Sequence, residues 1–460
     1  MTVPYWVPDA VFYQIFPDRF ANGDPKNDPP NVAPWGSQPT IWNFMGGDLR
    51  GILQHLDYLL DLGVTALYLN PIFQATSNHR YNTTDYYRID PKLGTLADFQ
   101  ALLHACHANG VRVILDGVFN HTGRGFFAFN DILENGEHSP YKDWYHIRRF
   151  PVRAYGEGQA TDYEAWWGFR SLPKLNTDNP AVRQYIFDVA RYWTQQGIDG
   201  WRLDVPNEID DDAFWQAFRE VVKTVNPDAY LVGEIWTADP RWVQHFDGLM
   251  HYPFREAVLA FVQGKQPADA FGQQLEALAA LYGDQATAMY VPLGSHDTER
   301  LATVLGSPDK VRLALGLQFA YLGAPAIYYG DEIGLEGGKD PDNRRAFPWE
   351  PSTWDQTLRQ WVQTLIAIRK KTPALRRGRF QLLKAKPEQH WLAFARRLGA
   401  AQVVVAANAS AVKRHCHIPV QTLGWHDGRI VRDLLHGTEA IVSGDTLHWD
   451  LPPWGIAWLA

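Results

Sequence analysis

Short runs of consecutive apolar residues alternate along most of the chain with stretches whose apolar positions recur every three or four residues. The short runs read as strands: residues 11–17 (VFYQIFP), 65–71 (TALYLNP), 112–120 (RVILDGVFN), 199–205 (DGWRLDV), 230–236 (YLVGEIW), 248–253 (GLMHYP), 289–297 (MYVPLGSHD) and 324–332 (APAIYYGDE). The periodic stretches read as helices. The first covers 48–63, with apolar Leu49, Ile52, Leu53, Leu56, Leu59 and Leu60 and a terminating Gly63. Others cover 96–110, 180–197 and 211–225. Eight strands with helices between them predict an α/β fold, a closed (β/α)8 barrel built from residues 1–120 and 179–375. A doubly wound open sheet is the alternative, but no GxGxxG follows the first strand.

Two departures from the rhythm mark further units. Residues 121–178 have turn residues and aromatics but little periodicity, and so long an insertion after the third barrel strand predicts a small subdomain. Beyond 375 the runs are short and strand-like, as in 390–398, 402–410 and 455–460. They predict a C-terminal antiparallel β-sandwich over 376–460. No Gly/Ser-rich linker precedes it, so it is expected to pack on the barrel.

The fourth strand run, GWRLD, carries Arg202 and Asp204 two residues apart and therefore on one face. One such pair reads equally as a structural ion pair or as a catalytic carboxylate with its partner. Barrel enzymes place their chemistry at the C-terminal ends of the strands. Those ends carry Asp116 and His121, Arg202 and Asp204, Glu234, then His296 and Asp297, with Asp340 and Arg344 just beyond the last strand. Carboxylates from three strands converging on one mouth repel each other, which a purely structural role does not explain. They suit glycoside hydrolysis, where one carboxylate attacks the anomeric carbon and a second protonates the leaving oxygen.

Composition narrows the class. The formal net charge of −8 gives no basic footprint for nucleic acid. No apolar run has membrane-spanning length, and the start MTVPYWVPDA resembles no signal peptide, so a cytoplasmic protein is expected. Cys106 and Cys416 belong to no CxxC or Cys/His cluster, so nothing points to zinc or redox chemistry. The 19 Trp, 20 Tyr and 23 Phe fill a core but also enter polar segments such as 163–169 (YEAWWGF) and 27–36 (NDPPNVAPWG). Aromatic faces beside polar groups suit sugar rings.

Four stretches, DGVFNH (116–121), GWRLD (200–204), GEIW (233–236) and GSHD (294–297), resemble in order the motif regions of the α-amylase family of glycoside hydrolases. A fifth, LPKLN (172–176), is similar to the MPKLN signature of its neopullulanase, cyclomaltodextrinase and maltogenic amylase branch, and GWRLDVPNEI resembles that branch's GWRLDVANEV. The resemblance implies Asp204 as nucleophile, Glu234 as general acid/base and Asp297 as the third catalytic carboxylate, gripping sugar hydroxyls. It implies substrate contacts from Tyr81, His121, Arg202, Trp236, His296, Asp340 and Arg344; for the last two a loop salt bridge is the competing reading. The implied activity is retaining hydrolysis of α-1,4 and also α-1,6 bonds in cyclodextrins, maltooligosaccharides and pullulan, with transglycosylation. An α-amylase or an oligo-1,6-glucosidase is the rival enzyme, the latter disfavoured because that branch reads QPDLN where this chain has LPKLN. A non-catalytic carbohydrate-binding barrel is the rival of another class, and such proteins lose the carboxylates retained here.

Residues Asn22, Asp24, Asn27, Asp28, Gly46 and Asp48 offer oxygens at a spacing that suits either Ca²⁺ or a solvated turn. The resemblance implies a structural calcium site there. The first barrel strand begins near Val11, so the N-terminal β-domain usual in the branch, and the dimer it supports, are not expected.

Overall fold

A computed structural model describes residues 3–460. Its barrel strands are β1 (Phe12–Ile15) and β2 (Ala66–Leu69), then, after a hairpin of β3 (Phe73–Ala75) and β4 (Thr83–Ile89), β5 (Arg112–Gly117), β6 (Gly200–Leu203), β7 (Tyr230–Gly233), β8 (Gly248–Leu249), β9 (Tyr290–Pro292) and β10 (Ala324–Tyr328). The eight barrel strands pair in parallel in the order β8-β7-β6-β5-β2-β1-β10-β9, and a parallel bridge between Met250 and Tyr290 joins the two ends. All eight expected strands are present and the barrel closes.

The strand pleat sorts side chains into two sets. Phe12, Ala66, Tyr68, Ile114, Tyr230, Val232, Tyr290, Ala324 and Ala326 form one buried cluster inside the barrel. Tyr13, Leu67, Val113, Leu115, Trp201, Leu203 and Leu231 belong to the larger cluster beneath the surrounding helices. Arg202 follows the interior parity: it lies beside Asp116 of β5 and Val232 of β7 in the ladder. The lower interior is thus apolar, and the layer nearer the mouth carries Gln14, Tyr68, Asp116 and Arg202, all buried.

Two local expectations change. The pattern over 48–63 is not one helix but two, Leu49–Gln54 and Leu56–Leu62, broken at His55. The His55 ring stacks on Trp349 at 3.5 Å, a tertiary contact that holds its backbone out of the helical region (φ −106, ψ 17). Gly63 ends the second helix at φ 96, where a Cβ would be strained. The β3–β4 hairpin was not anticipated, because its strands are short, bulged and only half-buried. Its connecting loop carries Tyr81.

Between β5 and the helix Pro180–Gln195, residues 121–178 fold around the helix Phe127–Asn135 and isolated antiparallel bridges such as His121 with Lys174 and Tyr145 with Leu175. The C-terminal strands are β11 (Arg379–Lys386), β12 (Trp391–Leu398), β13 (Ala401–Asn408), β14 (Arg414–Pro419), β15 (Ile430–Arg432), β16 (Glu439–Ser443), β17 (Thr446–Leu451) and β18 (Ile456–Leu459). They form two four-stranded sheets, β11-β12-β13-β18 and β14-β17-β16-β15, around a core that includes Trp391, Val404, Ile418, Trp425 and Leu447. Buried Arg396 donates to the carbonyls of Ala320 and Tyr321, fastening the sandwich to the barrel. No helix among the described residues is long and apolar enough to cross a membrane.

Candidate active site

The polar layer inside the barrel is organised by one guanidinium. Arg202 Nη1 donates to Asp116 Oδ1 at 2.8 Å and to Asp204 Oδ1 at 2.9 Å. Its Nη2 lies 2.9 Å from Glu234 Oε2, an ion pair whose N–H is not aligned for a hydrogen bond. The Arg202 side chain is 1% exposed, so these are interactions in a poorly solvated site. Asp116 is further tied by the hydroxyls of Tyr68 and Tyr81, which donate to Oδ2 at 2.6 and 2.7 Å.

Asp204 sits at the end of β6 with Oδ1 committed to Arg202 and Oδ2 without a hydrogen-bond partner among the described residues. Burial pushes its pKa well up, the Arg202 charge pulls it down, and the carboxylates of Glu234, Asp116 and Asp297 push it up again. The next residue, Val205, holds φ 35 and ψ 52, a left-handed conformation that a β-branched residue rarely adopts. That turn aims the Val205 N–H at Glu234 Oε2, 2.9 Å away, so the strain serves to place the second carboxylate. Pro206 opens the short 3₁₀ turn that follows. Glu234 Oε1 accepts from Trp236 Nε1 at 3.1 Å, and the half-exposed Trp236 indole lies parallel on Tyr252 at 3.7 Å.

The opposite side is built from β9 and the loop after β10. His296 Nδ1 meets the Gln14 amide nitrogen at 2.8 Å, which puts the ring proton on Nε2. Nε2 lies 2.6 Å from Tyr81 Oη and 3.1 Å from Asp297 Oδ2, and the Tyr81 and His296 rings are parallel at 5.4 Å. Burial and the nearby Arg202 and Arg344 charges hold His296 far below its usual pKa, so it is neutral. Asp297 is pushed up to about 7, by desolvation first and then by Glu234, with Arg344 and Arg202 opposing. Its side chain is still 31% exposed, so this desolvation is that of a cleft wall rather than of the core. Arg344 reaches Asp340 Oδ1 at 3.1 Å and Asp297 Oδ1 at 3.7 Å, and donates from Nε to the His296 carbonyl. The Asp340–Arg344 pair is therefore a loop salt bridge and also a brace on Asp297.

His121, after β5, is buried and kept neutral, its pKa lowered to about 3 by burial. Its Nε2 has no partner among the described residues, and its ring stacks on Trp166 at 5.5 Å. An unpaired buried ring nitrogen is a place for a ligand hydroxyl. All ten residues expected at the cleft thus lie around one mouth. Asn82, next to Tyr81, bonds to Thr76 and Ser77. Lys174 of LPKLN donates to the Glu208 carbonyl at 2.7 Å, so the two branch-marking stretches are joined.

Sequence reasoning gave no role to Asp116, Gln14, Tyr252 or Asn343. Asp116 carried a signal, as a strand-end carboxylate within DGVFNH. Asn343 did not: only the fold shows its amide donating to the carbonyls of His296 and Thr298 at 2.7 and 2.9 Å, which fixes the β9 exit.

In the loop for which calcium is expected, Asp48 and Asp24 tie neighbouring segments together. Asp48 Oδ1 accepts from the N–H groups of Gly23 and Gly51, and Oδ2 from Asp24 N and Asn27 Nδ2, so its carboxylate is a helix cap and loop clamp. Asp24 accepts from Lys26 N and pairs with Arg50 at 2.8 Å. Among the described residues no three His, Cys, Asp or Glu side chains converge as a metal-binding group.

Residues 14–376 match the catalytic domain of α-amylase, and residues 380–458 match the C-terminal domain of maltogenic amylase. The chain belongs to the α-amylase family. It is 44% identical over 460 residues to a cyclomaltodextrinase of Geobacillus thermopakistaniensis, an alignment covering 98% of this chain and 77% of that protein. Neopullulanase 2 of Thermoactinomyces vulgaris is also 44% identical, over 98% of this chain and 78% of its own length. The solved structure of cyclic α-maltosyl-(1→6)-maltose hydrolase from Arthrobacter globiformis superposes with a TM-score of 0.90 at 41% identity, covering 100% of both chains. This α-amylase family chain is a glycoside hydrolase acting on α-glucans.

Proposed function

We propose that this enzyme cleaves α-1,4 and α-1,6 glucosidic bonds of cyclodextrins, maltooligosaccharides and pullulan with retention, through a glycosyl-enzyme intermediate on Asp204. The observation that carries the reading is Arg202, which binds Asp204 and Glu234 on two nitrogens of one buried guanidinium. Asp204 Oδ2 attacks the anomeric carbon while Arg202 holds Oδ1. The glycosidic C–O bond breaks as a proton passes from Glu234 to the leaving oxygen. Oε1 is the atom for that proton, because Oε2 is fixed by the Val205 backbone whereas Oε1 meets the half-exposed Trp236 at the cleft. Water then attacks the anomeric carbon, Glu234 takes its proton, the bond from that carbon to Asp204 breaks, and Asp204 leaves as carboxylate. A sugar hydroxyl in place of water gives transglycosylation. Asp116, Asp204 and Glu234 share the single Arg202 guanidinium, so their crowding favours a proton retained on the cluster. Asp297 and His296 grip hydroxyls of the bound sugar, His121 Nε2 accepts or donates to another, and Tyr81 presents its ring beneath it.

Product analysis on β-cyclodextrin, pullulan and starch tests the substrate range. Linear maltooligosaccharides from cyclodextrin and panose or maltose from pullulan are expected; turnover of starch alone would favour an α-amylase.

A structural Ca²⁺ fits part of the loop. Asn22 Oδ1 and Asn27 Oδ1 are buried without partners among the described residues, and Asp28 has its pKa raised by desolvation and by Asp48 and Asp24. A Cβ on Gly46 would lie 2.3 Å from Asp28 Oδ1, so only glycine leaves this space open. Asn22, Asn27, Asp28 and the Gly46 carbonyl would hold the ion, whose charge fixes the loop. Chelation with EDTA is expected to lower the melting temperature by roughly 5 °C, with Ca²⁺ restoring it and Asn22→Ala abolishing the response. An EDTA-insensitive melting temperature would leave the loop as a metal-free turn.

Cys106 and Cys416 are both buried and free, which suits a reducing cytoplasm.

A further inference from the structure

The segment that carries His296 and Asp297 into the cleft runs from Gly294 to Arg300. Gly294 does not hold a positive φ, so its missing side chain answers to space rather than to backbone conformation. A Cβ there would overlap Asp331 Oδ2, the oxygen that fills the room beside the Gly294 backbone. The other oxygen, Oδ1, accepts from Arg300 Nη1 at 3.0 Å. One buried carboxyl thus meets both ends of the segment, and Asp297 stands midway between them.

The pair is itself held from behind. Arg300 is fully buried, and its guanidinium lies 4.4 and 4.7 Å from the ring centroids of Tyr328 and Tyr329. Nη1 also donates to the Tyr329 carbonyl at 2.7 Å, which anchors the pair to the end of β10. Just before Gly294, Arg255 Nε donates to the Leu293 carbonyl at 2.9 Å. Among the described residues neither Asp331 nor Arg300 is hydrogen-bonded or ion-paired to Asp204, Glu234 or Asp297.

As a source of stability the pair is a poor choice. Arg300 Nε and Nη2 are buried without partners among the described residues, and burial pushes the Asp331 carboxyl up to about 7 against the pull of Arg300. Apolar residues of similar volume often serve as well as such a pair. They would not grip the two ends of one loop at defined points.

We infer that Asp331 and Arg300 are positioning residues for Asp297: they clasp segment 294–300 at both ends and set where the Asp297 carboxylate meets the sugar. The inference rests on the reading that Asp297 grips sugar hydroxyls. Hydrogen bonds to hydroxyls of the reacting ring strengthen in the transition state, so a displaced Asp297 costs kcat more than KM.

The test is steady-state kinetics on 4-nitrophenyl α-maltoside. Asp331→Ala is expected to lower kcat on the order of 10²-fold, the cost of a misplacement of about 1 Å, with KM held within about twofold. Asp331→Asn keeps the shape and still accepts from Arg300, so it should recover kcat to within about threefold of the parent. Because Asp331→Ala alone strands a buried guanidinium, the measurement is repeated with Arg300→Met added, where no charge of the pair remains. In an Asp297→Asn background, Asp331→Ala should cost less than about twofold more, since the group it positions is already gone. Equal losses in both backgrounds would overturn the clasp and leave the role of Asp297 standing. An Asp297→Asn enzyme with unchanged kcat would overturn that role and the clasp with it.

Discussion

Asp204→Asn is expected to lower kcat on maltotriose roughly 10⁴-fold or more, as removal of one member of a catalytic unit does. The amide keeps the shape of the carboxylate, and its oxygen can still accept from Arg202 Nη1. It cannot form the ester to the anomeric carbon. The substitution should not unfold the protein. Burial and three neighbouring carboxylates already push Asp204 toward its neutral form, so a neutral isostere relieves repulsion at the end of β6. The melting temperature should be equal or slightly raised. Turnover within tenfold of the unmodified enzyme would remove Asp204 from the nucleophile's role.

The second large effect belongs to Arg202. Arg202→Met is expected to destabilise the protein by about 3–5 kcal/mol and to abolish measurable turnover, because breaking a buried ion pair from one side leaves the partner charges uncompensated. Asp116, Asp204 and Glu234 would each lose a positive partner inside the barrel. The sign of the pH dependence follows. Asp204 and Asp297 have raised pKa values in the folded state, so they bind protons more readily than in the unfolded chain. As pH falls toward 5 they become neutral, and the missing guanidinium matters less. Denaturant titration should therefore show the largest loss near pH 8 and a smaller one near pH 5. A variant as stable as the parent at pH 8 would show that Arg202 is not the organising charge.

Much of this site is legible in the chain because the strand pleat has a period of two. Arg202 and Asp204 must share a face, and the alternation of interior Phe12, Ala66 and Ile114 with helix-facing Tyr13, Leu67 and Leu115 shows that this face is the barrel interior. Glu234 and Asp297 were visible because barrel chemistry sits at the C-terminal ends of the strands. What was not legible depends on contacts between distant segments. The helix break at His55 arises from Trp349, and the brace on the β9 exit comes from Asn343. Asp48 stands among the expected calcium ligands, and only the fold shows that four N–H groups from two segments meet its oxygens. The β3–β4 hairpin, which delivers Tyr81, has no alternating pattern because only part of it is buried.

The mechanism turns on a covalent glycosyl intermediate on Asp204. It is tested most directly by trapping that intermediate with an α-glucosyl fluoride carrying a further deactivating fluorine, followed by peptide mass spectrometry. One added glycosyl mass per chain is expected, located on the peptide that contains Asp204, with α-configured sugar as the first product released from maltotriose. An unlabelled chain together with β-configured product would contradict it, since water would then have attacked the sugar directly.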